Sequence, residues 1–220
     1  MRRERRWSWS TSGLLGLLLL QASLPSARAE ERTDGPTGSI VSRWEGHATG
    51  VTHLAFSPNS RALASAGKDC TVRTWDVATG KAVQVFKGDR RPVSCLAFSP
   101  NGDRIVSGDE EGKIRVWDAA SATELRVLTG HTGAVLCVSV SLSGKILATG
   151  GADRTLRIWG LESGGAARSV VEHARPVVSV AFVPGGWSLV CGTEDGALAW
   201  YDLATKSLQT VPQLRGEAIE

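Results

Sequence analysis

From residue 51 the chain falls into short runs of apolar and polar residues divided by turn residues. "VTHLAFS" (51–57) is followed by "PNS", "ALASA" (62–66) by "GKDC", "TVRTW" (71–75) by "DVATGK", and then comes "AVQVF" (82–86). Runs of this length, rich in β-branched and small apolar residues and bounded by Gly, Pro, Asn and Asp, predict strands. Four of them joined by tight turns predict one antiparallel meander sheet. Later counterparts such as "VSCLAFS" (93–99) and "VVSVAFV" (177–183) are apolar on both faces. A single sheet cannot cover two apolar faces, so the pattern predicts sheets that stack. No helical period competes after residue 38.

The pattern recurs at a fixed step. Trp75, Trp117, Trp159 and Tyr201 lie 42 residues apart, as do His47, Asp89, His131 and His173, and Ser57, Ser99 and Ser141. Self-similarity at such a period is the mark of a repeat architecture in which each unit buries its faces against its neighbours. Four-stranded sheets stacked face to face around an axis make a β-propeller. The expected fold is therefore all-β, with four-stranded antiparallel blades over residues 45–86, 87–128, 129–170 and 171–211, and residues 212–220 as a tail or the start of a fifth unit.

The Gly46-His47 pair, the Trp75-Asp76 dipeptide and the Ser57-Pro58 turn resemble the WD-repeat β-propeller family over about residues 40–211. The resemblance implies a hydrogen-bonded tetrad in each blade: a His from the d–a loop, a Ser or Thr on strand b, an Asp in the b–c turn and the Trp of strand c. It maps onto His47, Ser65, Asp69 and Trp75 in the first repeat, and onto His131, Thr149, Asp153 and Trp159 in the third. The second repeat departs, with Asp89 for His and Glu111 for Asp beside Ser107 and Trp117. The fourth keeps His173 and Asp195 but has Cys191 and Tyr201. Two carboxylates facing each other would repel, so no tetrad is expected in the second blade, and blades two and four are expected to be softer.

A further run, "SIVSRW" (39–44), aligns with "KAVQVF" by the same step and reads as a leading outer strand. Such a strand ordinarily completes the last blade, yet "KSLQTV" (206–211) already supplies one there. Three arrangements follow: the leading part of a longer propeller, two chains joined head to tail as an eight-bladed ring, or a four-bladed monomer with a redundant strand.

Composition changes this picture at the N-terminus. "MRRERRW" is a basic stretch, "GLLGLLLLQASL" an apolar core too short to span a bilayer, and Ala27-Arg28-Ala29 a small-x-small site. Residues 1–29 read as an export signal cleaved before Glu30, and residues 30–38 as a linker. The expected location is periplasmic or extracellular, with no membrane span after cleavage. Those first residues also carry the charge. Without them the chain has 20 basic and 21 acidic residues, a formal charge near −1. That excludes a basic field for binding nucleic acid. Cys70, Cys95, Cys137 and Cys191 are even in number, but two sit in apolar runs, and free thiols are expected over disulfides.

No Cys-x-x-Cys, His-x-x-x-His, G-x-S-x-G or phosphate-binding glycine loop is present. The histidines fall on successive blades and do not converge. No catalysis, metal or cofactor is expected. Arg73, Arg115 and Arg157 recur on strand c and read as stems packed along the sheet with heads at the rim. The resemblance implies that the d–a and b–c loops share one rim that binds partners. Here that rim carries Lys68, Arg90, Arg91, Glu110, Arg154, Arg175 and Glu194, with Thr49 and Thr132 between them. Trp187, beside a Gly-Gly turn, is either an exposed anchor on the opposite rim or a cover for the blade edge. The expected function is an exported, non-catalytic scaffold for protein or peptide binding. The alternatives are the propeller part of a larger exported enzyme or ligand sensor whose catalytic domain lies beyond residue 220, or a truncated fragment.

Overall fold

The computed structural model describes residues 42–88, 91–162, 166–185 and 187–211. The expected export signal, the linker and the 212–220 tail lie outside them, as do Asp89 and Arg90. Among the described residues every regular element is a strand. The first sheet is β1 (Val51–Phe56), β2 (Ala62–Gly67), β3 (Thr71–Asp76) and β4 (Ala82–Lys87). The second is β5 (Val93–Phe98), β6 (Arg104–Asp109), β7 (Ile114–Asp118) and β8 (Glu124–Leu128). The third is β9 (Val135–Val140), β10 (Ile146–Gly151), β11 (Thr155–Gly160) and β12 (Ser169–Glu172). The fourth is β13 (Val177–Phe182), β14 (Ser188–Thr193), β15 (Leu198–Asp202) and β16 (Ser207–Val211). Each sheet is an antiparallel meander in chain order. The fold is thus the all-β, four-bladed propeller architecture that the 42-residue step predicts.

The recurring Ser57, Ser99 and Ser141 hold the first turn of each blade. Ser57 Oγ accepts the Ala62 N–H at 2.9 Å and donates to Asn59 Oδ1 at 2.8 Å. Ser99 Oγ accepts from Arg104 N–H at 2.9 Å and Ser141 Oγ from Ile146 N–H at 3.1 Å. The same turns put Ser60, Gly102 and Gly144 at positive φ, where glycine is the unstrained choice.

The hydrophobic core lies between the blades. One cluster joins Ala64, Ala66, Val72 and Phe86 of blade 1 to Val93, Leu96, Ile105 and Trp117 of blade 2. The next joins Cys95, Val106, Ile114, Val116 and Leu128 to Val135, Leu147, Trp159 and Leu161. The third joins Ala148, Leu156 and Ile158 to Val177, Val180, Leu189 and Tyr201. These are three versions of one junction: Ala64, Val106 and Ala148, Val72, Ile114 and Leu156, Val93, Val135 and Val177, Ile105, Leu147 and Leu189, and Trp117, Trp159 and Tyr201 each recur at the 42-residue step. That is why strands such as β5 and β13 are apolar on both faces.

The inner strand of each blade carries an irregularity in its pairing near its start, between Val51 and His53, Val93 and Cys95, and Val177 and Ser179, and opposite Gly150 and Gly151 in blade 3. A bulge turns an extra residue out of the ladder. Thr52 and Ser94, at that position, use their hydroxyls to reach the next blade, each donating to a carbonyl at 2.5 Å, Val93 O and Val135 O.

The blades form a row: β1 lies beside β5, β5 beside β9, and β9 beside β13. Among the described residues no comparable packing joins β13 to β1. Residues 42–44 of the expected leading strand are not in a sheet. Instead Trp44 lies on Trp75, ring centroids 6.2 Å apart. Its register counterpart Phe86 packs edge-on against Trp117 at 5.8 Å. Trp44 thus takes the place on blade 1 that the outer strand of a preceding blade takes elsewhere. All four cysteines are free thiols. Burial pushes the Cys137 thiol up to about 12 and the Cys191 thiol up to about 11.

Candidate functional site: the top rim and the tetrads beneath it

In every blade the b–c turn is tied to the d–a loop by one backbone hydrogen bond. Lys68 N–H donates to Gly50 O (2.9 Å), Glu110 to Pro92 O (3.2 Å), Ala152 to Ala134 O (2.9 Å) and Glu194 to Pro176 O (3.0 Å). These pairs are again 42 residues apart, and they bring both sets of loops to one edge.

Below the rim, blades 1 and 3 hold the expected constellation. Ser65 Oγ accepts the Trp75 indole N–H at 2.8 Å and lies 2.7 Å from His47 Nε2. His47 Nδ1 lies 2.9 Å from Asp69 Oδ1. A hydroxyl has one hydrogen to give. With the indole donating to it, Ser65 donates to Nε2, and His47 Nδ1–H donates to the carboxylate. The relay Trp→Ser→His→Asp satisfies four buried polar groups with a neutral imidazole. Blade 3 repeats it: Trp159 Nε1 to Thr149 Oγ1 at 2.8 Å, Thr149 Oγ1 to His131 Nε2 at 2.8 Å, and His131 Nδ1 to Asp153 Oδ1 at 2.9 Å. Ala48 N–H and Thr132 N–H also donate to the two carboxylates, at 3.0 and 3.1 Å, tying the d–a loops down.

The electrostatics follow from these bonds. Burial by itself pushes the Asp69 carboxyl up, but hydrogen bonds from His47, Thr71 and Ala48 outweigh it and hold the group down to about 2. Asp153 is lowered by the same balance. Burial lowers His131 below the ordinary histidine value, against the opposing pull of Asp153.

Glycine marks the intact pairs. A Cβ on Gly151 would sit 2.6 Å from His131 Nδ1 and 2.7 Å from Asp153 Oδ1, and a Cβ on Gly67 would sit 2.6 Å from Asp69 Oδ1. The repeat places Asp109 and Thr193 at this position in blades 2 and 4. The acid assigned to blade 2 from the sequence, Glu111, is not the buried one. Glu111 is exposed and pairs with Arg91 at 2.6 Å and Lys113 at 3.7 Å. The buried carboxylate is Asp109, which accepts from Arg115 Nη1 at 3.3 Å and from the Glu111 and Lys113 N–H groups at 3.0 and 2.9 Å. With no histidine in the repeat, the glycine volume is open to a side chain, and Asp109 fills it. Trp117 still donates to Ser107 at 2.9 Å.

In blade 4 the His–Asp bond is lost. Thr193 fills the glycine volume and donates to Asp195 at 2.6 Å, while His173 Nε2 faces Cys191 Sγ at 3.6 Å. Tyr201 OH lies 2.9 Å from Ser169 Oγ.

The strand-c arginines do not end at the rim as expected. Arg73 and Arg157 turn inward to the tetrad acids, Nη2 to Asp69 Oδ2 at 3.9 Å and to Asp153 Oδ2 at 3.6 Å, and the Arg115 side chain is 8% exposed. A buried carboxylate drawing a nearby guanidinium explains the difference.

The rim charges are exposed: Lys68, Glu110, Arg154 and Glu194 on b–c turns, and Arg91 and Arg175 on d–a loops. Arg90 lies outside the described residues. Trp187 is 74% exposed on the opposite edge, as is Leu142, and both line a cleft of about 500 Å³ with Ile146 and Leu203. Among the described residues no group of three or more His, Cys, Asp or Glu gathers to hold a metal ion.

Four meander sheets stacked through identical junctions, two of them pinned by a Trp–Ser/Thr–His–Asp relay, define a repeat β-propeller protein. Residues 38–76, 80–118 and 122–160 each match the family described as WD domain, G-beta repeat. The chain belongs to this family, whose members generally act as scaffolds for protein interactions. The matches stop before blade 4, where the relay has decayed but the sheet persists.

The chain is 41% identical over 66 residues to WD repeat-containing protein 36 of Homo sapiens, covering 30% of this chain and 7% of that protein. It is 37% identical over 65 residues to Nuclear distribution protein nudF of Aspergillus terreus, covering 26% and 15%. It is 43% identical over 49 residues to Probable cytosolic iron-sulfur protein assembly protein 1 of Malassezia globosa, covering 22% and 14%. The solved structure titled "Structure of U3-55K" superposes with a TM-score of 0.69 at 25% identity, over 76% of this chain and 53% of that one. The chain therefore spans only a small part of these curated relatives and about half of that structure.

Proposed function

We propose that the protein is an exported, non-catalytic scaffold that captures a protein or peptide on its top rim. The observation that carries this reading is the set of four equivalent loop pairs, each tied by one backbone hydrogen bond and in blades 1 and 3 pinned from below by a tetrad, presenting Lys68, Glu110, Arg154, Arg175 and Glu194 to solvent. A rigid edge with interspersed charges of both signs offers pairs to carboxylates, ammonium groups and peptide carbonyls at little ordering cost. The free side chains project from turns whose backbone is already held, the arrangement that suits recognition. Export rests on the basic, apolar and Ala27-Arg28-Ala29 segments in that order.

A photocrosslinking residue placed singly at Lys68, Arg154 or Glu194 tests the rim, with Asn59 and Asn101 on the opposite edge as controls. The reading expects discrete crosslinked partners from rim positions alone, lost when Arg91, Arg154 and Arg175 are changed to Glu. Equal crosslinking from both edges, or a yield untouched by the three reversals, discards it. The mass of the protein recovered from outside the cytoplasm should correspond to a chain starting at Glu30. An uncleaved cytoplasmic chain overturns the export part.

A further inference from the structure

The row of blades ends in two uncovered faces. Val51 is 53% exposed, whereas its counterparts Val93, Val135 and Val177 are at 7%, 0% and 0%. At the other end Leu198 is 49% exposed, whereas its counterparts Val72, Ile114 and Leu156 are at 1%, 0% and 0%. Trp200 is likewise exposed, and its counterparts Thr74, Val116 and Ile158 are buried. Each junction inside the chain sets a face like that of Leu198 and Trp200 against a face like that of Val51 and Leu54. One chain thus carries both halves of a fourth junction.

We propose that a second copy of this chain supplies the missing contact, blade 4 of one copy packing on blade 1 of the other, head to tail. The fit is specific at three places. The first valine of each blade sits over a small residue of the blade before it. A Cβ on Gly108 would lie 2.7 Å from Val135 Cβ, and a Cβ on Gly150 would lie 2.5 Å from Val177 Cγ1. Gly192 is the same seat in blade 4, where a Cβ would meet no residue of a following blade, and Val51 is the unseated side chain.

Second, Cys95 and Cys137 direct their thiols to the carbonyl of that valine, at 3.5 Å from Val135 O and 3.6 Å from Val177 O. Ser179 occupies this position in blade 4, with an exposed hydroxyl suited to Val51 O. Third, the receiving face of blade 1 is a cleft of about 570 Å³ lined by Val51, Leu54, Leu63, Ser65 and Trp75. Trp44 already lies over Trp75 in the place an outer strand fills elsewhere, and β16 reaches Val211, one register position before that place. Blade 4, four strands wide, meets this cleft with the β15 face that carries Leu198 and Trp200. Two copies joined in this way form two identical junctions and close at eight blades, within the range of closed propellers.

Light scattering on the full chain across a dilution series tests the assembly, with Val51→Asp and Gly192→Leu as variants. Val51 is exposed, and a Cβ on Gly192 meets Leu198 Cδ2 at an ordinary 3.5 Å, so each isolated chain keeps its fold, which circular dichroism checks. The expected results are a mass of twice the monomer for the unaltered chain and a dissociation constant raised about 30-fold or more by each variant. Mixing the two variants is the decisive step. Blade 4 of the Val51→Asp chain still fits blade 1 of the Gly192→Leu chain, so the mixture recovers a dimer through one sound junction. A monomer at every concentration, a dimer indifferent to both variants, or a mixture that stays monomeric overturns the proposal. So does saturable uptake of another blade-bearing chain in preference to a second copy.

Discussion

At residue scale the decisive feature is an absence of side chain. Gly67 and Gly151 leave room for an imidazole and a carboxylate to meet, and Asp109 and Thr193 close that room in the blades without the pair. Gly151→Ala should therefore cost about 1–3 kcal/mol, because the methyl can enter only by parting His131 from Asp153. Thr193→Gly, in a blade with no pair to protect, should change stability by much less. Urea unfolding of both variants checks the contrast, and equal costs would refute it.

The two His–Asp pairs make the fold acid-sensitive. Asp69 titrates near 2 in place of its ordinary 3.8, so its contribution is whole above about pH 4 and is lost as pH falls towards 2. His131 is held below its ordinary 6.5, so the unfolded chain takes up a proton that the folded chain resists. Stability should begin to fall as pH drops below 6.5, a decline shared by His53 and His173, which burial also lowers, and His131→Gln should reduce that first decline in a melting series while leaving the Asp69 limb in place.

At element scale the blades share a frame and differ in what pins them. Strand positions, turn serines and the two complete relays were legible in the chain, since each partner stands at a fixed place in a 42-residue unit. The pinning of blade 2 was not. Matching by position led to Glu111, but a buried carboxylate goes where there is volume, and the paired changes of His to Asp89 and Gly to Asp109 were the available signal. The arginine heads were hidden for a related reason. An Arg on an alternating strand reads as a stem lying on the sheet, and only the acid four residues earlier in blades 1 and 3 hints at an inward turn. Asp109, Arg115 and Glu124, with Arg115 Nε 2.9 Å from Glu124 Oε2, give blade 2 a network of its own. Softness should therefore concentrate in blade 4, whose imidazole faces only a thiol. Hydrogen exchange should show β14 and β15 losing protection first, with β6 and β7 close to β10 and β11. Exchange in β6 as fast as in β14 would refute this.

At the scale of the whole molecule, stability belongs to the junctions, since no blade has a core of its own. The repeat pattern showed that sheets must stack; it could not show which faces stay bare, because Val51 and Val177 are alike as letters. A row of units that touch only their neighbours unfolds from whichever junction is weakest. Gly150→Ala tests this directly. Its methyl would lie 2.5 Å from Val177 Cγ1 and 2.7 Å from Cys137 Sγ, so blades 3 and 4 must shift apart to admit it. The clusters at the other two junctions share no residue with this one and should be untouched. The variant should lose cooperativity: blade 4 would detach at low urea, followed by hydrogen exchange in β14 and β15, while Trp75, Trp117 and Trp159 stay buried until the main transition. A single transition displaced as a whole would mean that the four blades unfold as one unit, and the account of stability by separate junctions would fail.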